Sequence, residues 1–287
     1  MGGQISIELT QERETTLITL YGKAEESRLR DSLLQDHYAA AAIERIDYDF
    51  RKLRVTRDGM VSLAFRAKSL DDWTRDFLSR HSFATVLHLG CGLDSRIWRV
   101  NPSNQVAWFE VDFPEVIALR GQIFPERPGC ESIAASLLDA NWVRSVPTDR
   151  PTFVIAEGVL PYLPASAVAP LLQSITSHFA QGEIVFDAYS RWGVRMLNYL
   201  PAIRATGAQL RWGLDDPLTL EKEVPGLRLL TERPTLGQEQ LGRYSWPLRW
   251  LTRATCLVPS LQGAGRLLRY RLGDGDRRAE AANYSTK

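Results

Sequence analysis

The sequence predicts an α/β fold: a doubly wound, mostly parallel seven-stranded sheet with an N-terminal helical cap and an inserted lid. Three observations predict it. From Ala84 onward, short apolar runs alternate with amphipathic helical stretches, the pattern of parallel strands joined by crossover helices. One run, Thr85-Val86-Leu87-His88-Leu89, passes straight into Gly90-Cys91-Gly92, where glycines let the backbone turn sharply and approach a ligand. The next run ends on Asp112, about 20 residues beyond the glycine turn, the spacing at which an acid meets ribose hydroxyls in such sheets.

Residues 1–80 read as the helical cap. Thr19 to Ala42 is rich in Ala, Glu, Leu and Arg, with Leu29, Leu33, Leu34, Tyr38 and Ala41 at helical spacing, so one or more helices are predicted there. Met60 to Leu78 places Val61, Phe65, Leu70, Trp73 and Phe77 roughly on one side, an amphipathic helix.

Residues 81–272 carry the sheet. Strands are predicted at Ala84 to Leu89, Val106 to Val111, Glu131 to Ala135, Thr152 to Ala156 and Glu183 to Phe186. After the Pro225-Gly226 turn come Leu227 to Glu232 and, through a helical Trp-containing stretch from Gln238 to Leu261, Leu267 to Leu272. The segment at about 190–213 breaks the alternation and carries Trp192, Tyr199 and Trp212, an insertion read as a lid. Residues 273–287 are rich in Gly, Asp and Arg with little to bury, a flexible tail.

Thirty-five Lys and Arg against 34 Asp and Glu leave a formal charge of +1, so no global field recruits nucleic acid or an anionic membrane. Cys91, Cys130 and Cys256 stand far apart without a Cys-x-x-Cys pair, which argues against a zinc site or disulfide framework. Met1 to Thr10 lacks the basic start and apolar run of a signal peptide, and no later stretch is apolar enough to span a bilayer. A cytoplasmic protein is expected.

A nicotinamide cofactor would ask for a third glycine where Ser95 stands. That weakens a NAD(P)-dependent oxidoreductase reading without removing it, because the fold class is shared.

Three longer stretches are more specific: Leu-Gly-Cys-Gly-Leu-Asp-Ser-Arg (89–96), Phe-Glu-Val-Asp-Phe-Pro-Glu-Val-Ile (109–117) and Ala-Glu-Gly-Val-Leu-Pro-Tyr-Leu (156–163). Together they resemble the leucine carboxyl methyltransferase family, which includes bacterial polyketide carboxyl methylases of the tetracenomycin type. The similarity runs from Tyr21 to Asp187. It implies a class I, Rossmann-like methyltransferase using S-adenosyl-L-methionine.

The resemblance further implies that Lys23 and Arg66 hold the cofactor's carboxylate, a role suited to a point charge beside a planar donor fork. By the same resemblance Gly90 contacts the methionine part, Asp112 the ribose, Ser136 and Leu137 the adenine, and Glu157 sits beside the sulfonium end. Ser136 stands where the animal enzyme has Asp. His88 stands where many methyltransferases of this fold carry an acid, and a structural hydrogen bond is expected of it rather than catalysis. Asp112→Ala and Arg66→Ala are expected to weaken cofactor binding with the fold intact.

Methyl transfer needs alignment and exclusion of water more than reactive side chains. A carboxylate acceptor is ionised at neutral pH and needs no base, whereas a phenol or alcohol would profit from one. Tyr162, Tyr189, Arg191 and Trp192 follow strand ends and are candidates for the acceptor side, with Arg191 able to orient an acid. His37, His81 and His178 read as surface or structural, so no base and no metal site is assigned. Trp192, Trp212, Trp246 and Trp250 suit a large planar acceptor or core packing equally. An O-methyltransferase acting on a small metabolite or peptide is the leading reading. A module that binds S-adenosylmethionine without catalysis is the third. The methylated atom and the oligomeric state stay open.

Overall fold

The computed structural model describes residues 5–7, 9, 13–139, 141–236, 238–257 and 263–273. In chain order the elements are β1 (Ile5–Ser6), α1 (Thr15–Ser27), α2 (His37–Arg45), β2 (Ile46–Asp47), α3 (Arg57–Arg80), β3 (Thr85–Leu89), α4 (Arg96–Val100), β4 (Ala107–Asp112), α5 (Pro114–Ile123) and β5 (Cys130–Ala134). There follow β6 (Thr152–Ala156), α6 (Ala165–His178), β7 (Gly182–Tyr189), α7 (Arg191–Leu197), α8 (Pro201–Thr206), α9 (Leu218–Glu223), β8 (Leu227–Pro234), α10 (Trp246–Leu257) and β9 (Gly265–Leu272).

The large sheet has seven strands in the order β5-β4-β3-β6-β7-β9-β8. All neighbours are parallel except β9, which runs antiparallel to both β7 and β8. Every residue of β3 and of β6 is buried, as expected of strands covered on both faces. Leu70, Trp73 and Phe77 of α3 pack with Val86, Phe153 and Val185 on one face. Val168, Leu171 and Ile175 of α6 cover Leu87, Val154 and Phe186 on the other. Strand order reverses between β3 and β6, and a ligand crevice opens at such a switch point, outside the carboxyl ends of the strands.

All seven predicted strands form, but β7 runs on to Tyr189 because it pairs with β9 along its whole length. The buried Asp187 interrupts its apolar pattern and hid that extension. The stretch predicted as helical from Thr19 splits into α1 and α2. Glu26 explains the break: its carboxylate accepts from the N–H of Leu33 (2.6 Å) and from Ser32 Oγ (2.9 Å), and Asp36 then caps α2 through Ala39 N–H at 2.9 Å. Leu29, Leu33 and Leu34 therefore lie in a loop. A two-stranded parallel sheet of β1 and β2 was too short to read from sequence.

The segment read as a lid forms α7 and α8, but Trp212 leaves it: the indole is buried against Phe186, ring centroids 6.5 Å apart. The expected tail beyond Gly273 lies outside the described residues, as do residues 258–261 of the predicted helical stretch. Among the described residues no helix is long and apolar enough to cross a membrane, and no group of side chains has the makings of a metal site.

Candidate active site

The turn after β3 is built for close approach. Gly90 and Gly92 have φ of +55° and +50°, a region that penalises residues with a Cβ. A Cβ on Gly90 would stand 2.4 Å from Val159 Cγ2, and one on Gly92 would stand 2.3 Å from Thr16 Oγ1. Asp112, at the end of β4, braces the turn: Oδ2 accepts from Gly92 N–H and Oδ1 from Phe113 N–H, both at 2.7 Å. Burial pushes the Asp112 carboxyl above its usual range, although those two N–H groups pull it back. Arg120 of α5 supports the turn from behind, donating to the carbonyls of Gly92 (2.9 Å) and Asp94 (2.8 Å) while Nε meets Glu110 at 2.9 Å.

Beside the turn lies a buried ion cluster. Lys23 Nζ of α1 is 3.1 Å from both Asp94 and Glu157. Arg66 of α3 reaches Glu157 through Nε (3.2 Å), and through Nη1 it reaches Asp187 (3.0 Å) and the Tyr189 hydroxyl (3.3 Å). Arg96 bonds Asp71 at 2.6 Å and also Glu157. Arg99 joins Asp71 (2.8 Å), Asp36 (2.6 Å) and Asp94 (2.7 Å). Burial alone would raise the pKa of Glu157, but Lys23, Arg96 and Arg66 outweigh it and hold the carboxyl well below its usual range. Asp94 is held down likewise, by Arg99, Lys23 and Arg96 against burial. Four cations meet the five carboxylates of Asp36, Asp71, Asp94, Glu157 and Asp187, so the cluster carries one net negative charge.

A cavity of about 920 Å³ is lined by the glycine turn, by Asp112 and, from the cluster, by Lys23, Arg66, Asp94, Glu157 and Asp187. The seven residues proposed for the cofactor, Lys23, Arg66, Gly90, Asp112, Ser136, Leu137 and Glu157, all line it, as do Tyr162, Tyr189 and Trp192. Arg191 does not: its side chain is exposed and points to Asp215 at 3.4 Å, because α7 turns it away from the strand end. Trp246 and Trp250 are 72% and 65% exposed and line no part of the cavity, so neither acceptor binding nor core packing accounts for them.

His88 also departs from expectation. Its ring is buried and lines the cavity, yet Nδ1 has no hydrogen-bond partner and Nε2 stands 4.0 Å from Asp94. Packing holds it instead, edge-on to Trp108. Burial and then Arg96 depress its pKa well below the ordinary imidazole value, so it is neutral. His37, His81 and His178 lie away from the cavity, and His178 Nε2 is 2.9 Å from the Val146 carbonyl.

Sequence reasoning missed Arg96, Arg99, Arg120, Asp94 and Asp187. Asp94 and Arg96 belong to the same run as the glycine turn, and an acid inside an apolar strand was the available sign for Asp187.

The residues fit an S-adenosylmethionine-type ligand. The glycine turn presents backbone without side chains to the cavity, and Arg66 Nη2 takes part in none of the hydrogen bonds above. One surplus negative charge also matches a ligand with a sulfonium and an ammonium against one carboxylate.

Sheet order and site together define a class I methyltransferase. The chain belongs to the leucine carboxyl methyltransferase family, whose profile matches residues 16–176. It is 40% identical over 265 residues to the tetracenomycin polyketide synthesis O-methyltransferase TcmP of Streptomyces glaucescens, covering 92% of this chain and 98% of that protein. It is 37% identical to the S-adenosyl-L-methionine-dependent methyltransferase dpfgK of Gibberella zeae, across 86% of this chain and 90% of that one. A solved DUF574 family protein from Streptomyces avermitilis shares the fold, with a TM-score of 0.59 at 10% identity over 92% of this chain and 98% of that one. The protein is an S-adenosylmethionine-dependent methyltransferase.

Proposed function

We propose that this enzyme methylates an oxygen, a carboxylate foremost, on a large and mostly apolar small molecule. In this reading Lys23 and Arg66 Nη2 hold the cofactor's carboxylate, Gly90 its methionine part and Asp112 its ribose hydroxyls. Ser136 and Leu137 flank the adenine, and Glu157 faces the sulfonium end. When bound, S-adenosylmethionine supplies a methyl group on positively charged sulfur. Residues 1–80 then act as a cap on the catalytic domain of residues 81–272, and α7 with α8 as a lid whose Trp192, Met196 and Leu200 close the acceptor end of the cavity.

The observation that carries this reading is the state of Tyr189. Its hydroxyl accepts from Arg66 Nη1 at 3.3 Å, and burial with the charge of Asp187 raises its pKa, so it is a poor base. That suits an acceptor arriving already ionised, as a carboxylate does. The apolar walls from Ile18, Leu63, Leu197 and Leu210 suit a hydrophobic body and exclude water from the reacting atoms. The 40% identity to an O-methyltransferase of polyketide synthesis supports the same substrate range.

The test uses S-adenosylmethionine labelled in its methyl group with paired aromatic acids and phenols of matched size. Methyl esters release labelled methanol in mild base, whereas ethers and N-methyl products do not. Label that is entirely base-stable would rule out the carboxylate.

A further inference from the structure

Arg54 lies between the 3₁₀ turn Phe50–Leu53 and the start of α3, with left-handed backbone (φ 49°, ψ 37°) and its N–H donating to the Arg51 carbonyl at 3.2 Å. Glycine or asparagine meets that geometry with less strain. Non-glycine residues held there against preference concentrate at functional sites.

The side chain is exposed at the cavity and, among the described residues, has no carboxylate, hydrogen-bond or aromatic partner. Other cations lining the cavity are engaged: Arg13 with Glu115 at 2.6 Å, Lys23 and Arg66 in the buried cluster, and Arg211 is not free either. Arg54 therefore offers a guanidinium fork to whatever enters, and such a fork matches an oxyanion.

Its position sets the scale. Arg66, whose Nη1 meets the Tyr189 hydroxyl, lies twelve residues further along the chain, most of them in α3, so a rise of about 1.5 Å per helical residue puts the two backbones on the order of 15 Å apart. Val55 and Leu63 line the cavity along that stretch, and Ile203 of α8, which packs against the Phe50–Leu53 turn, lines it too.

Resting on the carboxylate reading above, we infer that Arg54 binds a second acidic group of the acceptor, at the end remote from the oxygen that receives the methyl. The acceptor class is thus an elongated, largely apolar diacid. Arg54 is a specificity-determining residue for it, acting in binding and not on the reacting atoms.

The test is calorimetric titration of the protein saturated with S-adenosylhomocysteine, using biphenyl-4-carboxylate and biphenyl-4,4′-dicarboxylate. The wild type should prefer the diacid by roughly five-fold or more, as an ion pair at a partly open site allows. Arg54→Gln should lose that preference while keeping its affinity for S-adenosylhomocysteine and for the monoacid. Arg54→Gly, which suits the backbone, should behave alike and controls for folding. Equal affinities in the wild type, or a preference surviving in both variants, would overturn the inference. Should S-adenosylhomocysteine bind and neither acid follow, the carboxylate reading falls and this inference with it.

Discussion

Arg66 Nη1 lies 3.0 Å from Asp187 Oδ2, which ties α3 to the end of β7 across 121 positions of sequence. Asp187 is fully buried, and its other oxygen accepts from Gly158 N–H at 2.5 Å. Removing the guanidinium strands a buried carboxylate, a change that costs about 3–5 kcal/mol. Arg66→Ala is therefore expected to lower stability as well as cofactor affinity, contrary to the intact fold that sequence alone suggests. Urea denaturation measures it. An unchanged midpoint would mean that the pair contributes nothing to the fold.

Acid should unfold the protein through Glu157 and Asp94. Both are held ionised far below their ordinary range by neighbouring cations, so they stabilise the fold above the unfolded carboxylate pKa of about 4. That stability is lost as the pH falls further. Melting temperature should thus be level from about pH 8 to 6 and drop steeply below about pH 4. Glu157→Gln should show a shallower acid limb, and an identical limb would place the linkage elsewhere.

Asp112 has the opposite sign. Burial raises its pKa, so the folded protein disfavours its charge at neutral pH. Asp112→Asn removes that penalty and keeps one acceptor for the two N–H groups that the carboxylate holds. Stability should stay within about 1 kcal/mol of wild type. Affinity for S-adenosylhomocysteine should fall about ten-fold or more, as a lost hydrogen bond to a charged group predicts. Calorimetry showing full affinity would remove Asp112 from the ribose site.

Gly90→Ala imposes a left-handed alanine, costing about 1–2 kcal/mol, and drives its methyl against Val159. Pairing it with Val159→Ala relieves the contact but not the backbone strain. The double variant should recover affinity for S-adenosylhomocysteine in part. No recovery at all would mean that the backbone alone is responsible.

Trp192 is half exposed and lines the cavity. Trp192→Ala should raise KM for the acceptor and leave the melting temperature within about 2 °C, since little buried area is lost. Effects confined to cofactor affinity would move the acceptor elsewhere.

The sheet was legible because β3 and β6 are mostly apolar runs, and the cavity lining around Gly90 and Asp112 because both stand at strand ends within about 20 positions of each other. The ion cluster was not legible, since Arg96 and Glu157 stand 61 positions apart and only folding brings them together. Local hydrogen bonds also outrank periodicity: Glu26 holds residues 32–34 in a loop despite their helical spacing. Arg191 shows the limit of arguing from a strand end, because a helix beginning at that residue decides which way it points.

The cluster around Lys23, Arg66, Arg96 and Arg99 has one carboxylate more than it has cations. Methyl transfer turns a sulfonium into a neutral thioether, so the spent by-product has no net charge to offer that surplus. Attraction that favours loading relaxes once the methyl group has left. With the donor held as proposed, the acids of the cluster would attract it before transfer and hold its by-product less afterwards, which would favour the exchange of used for fresh donor.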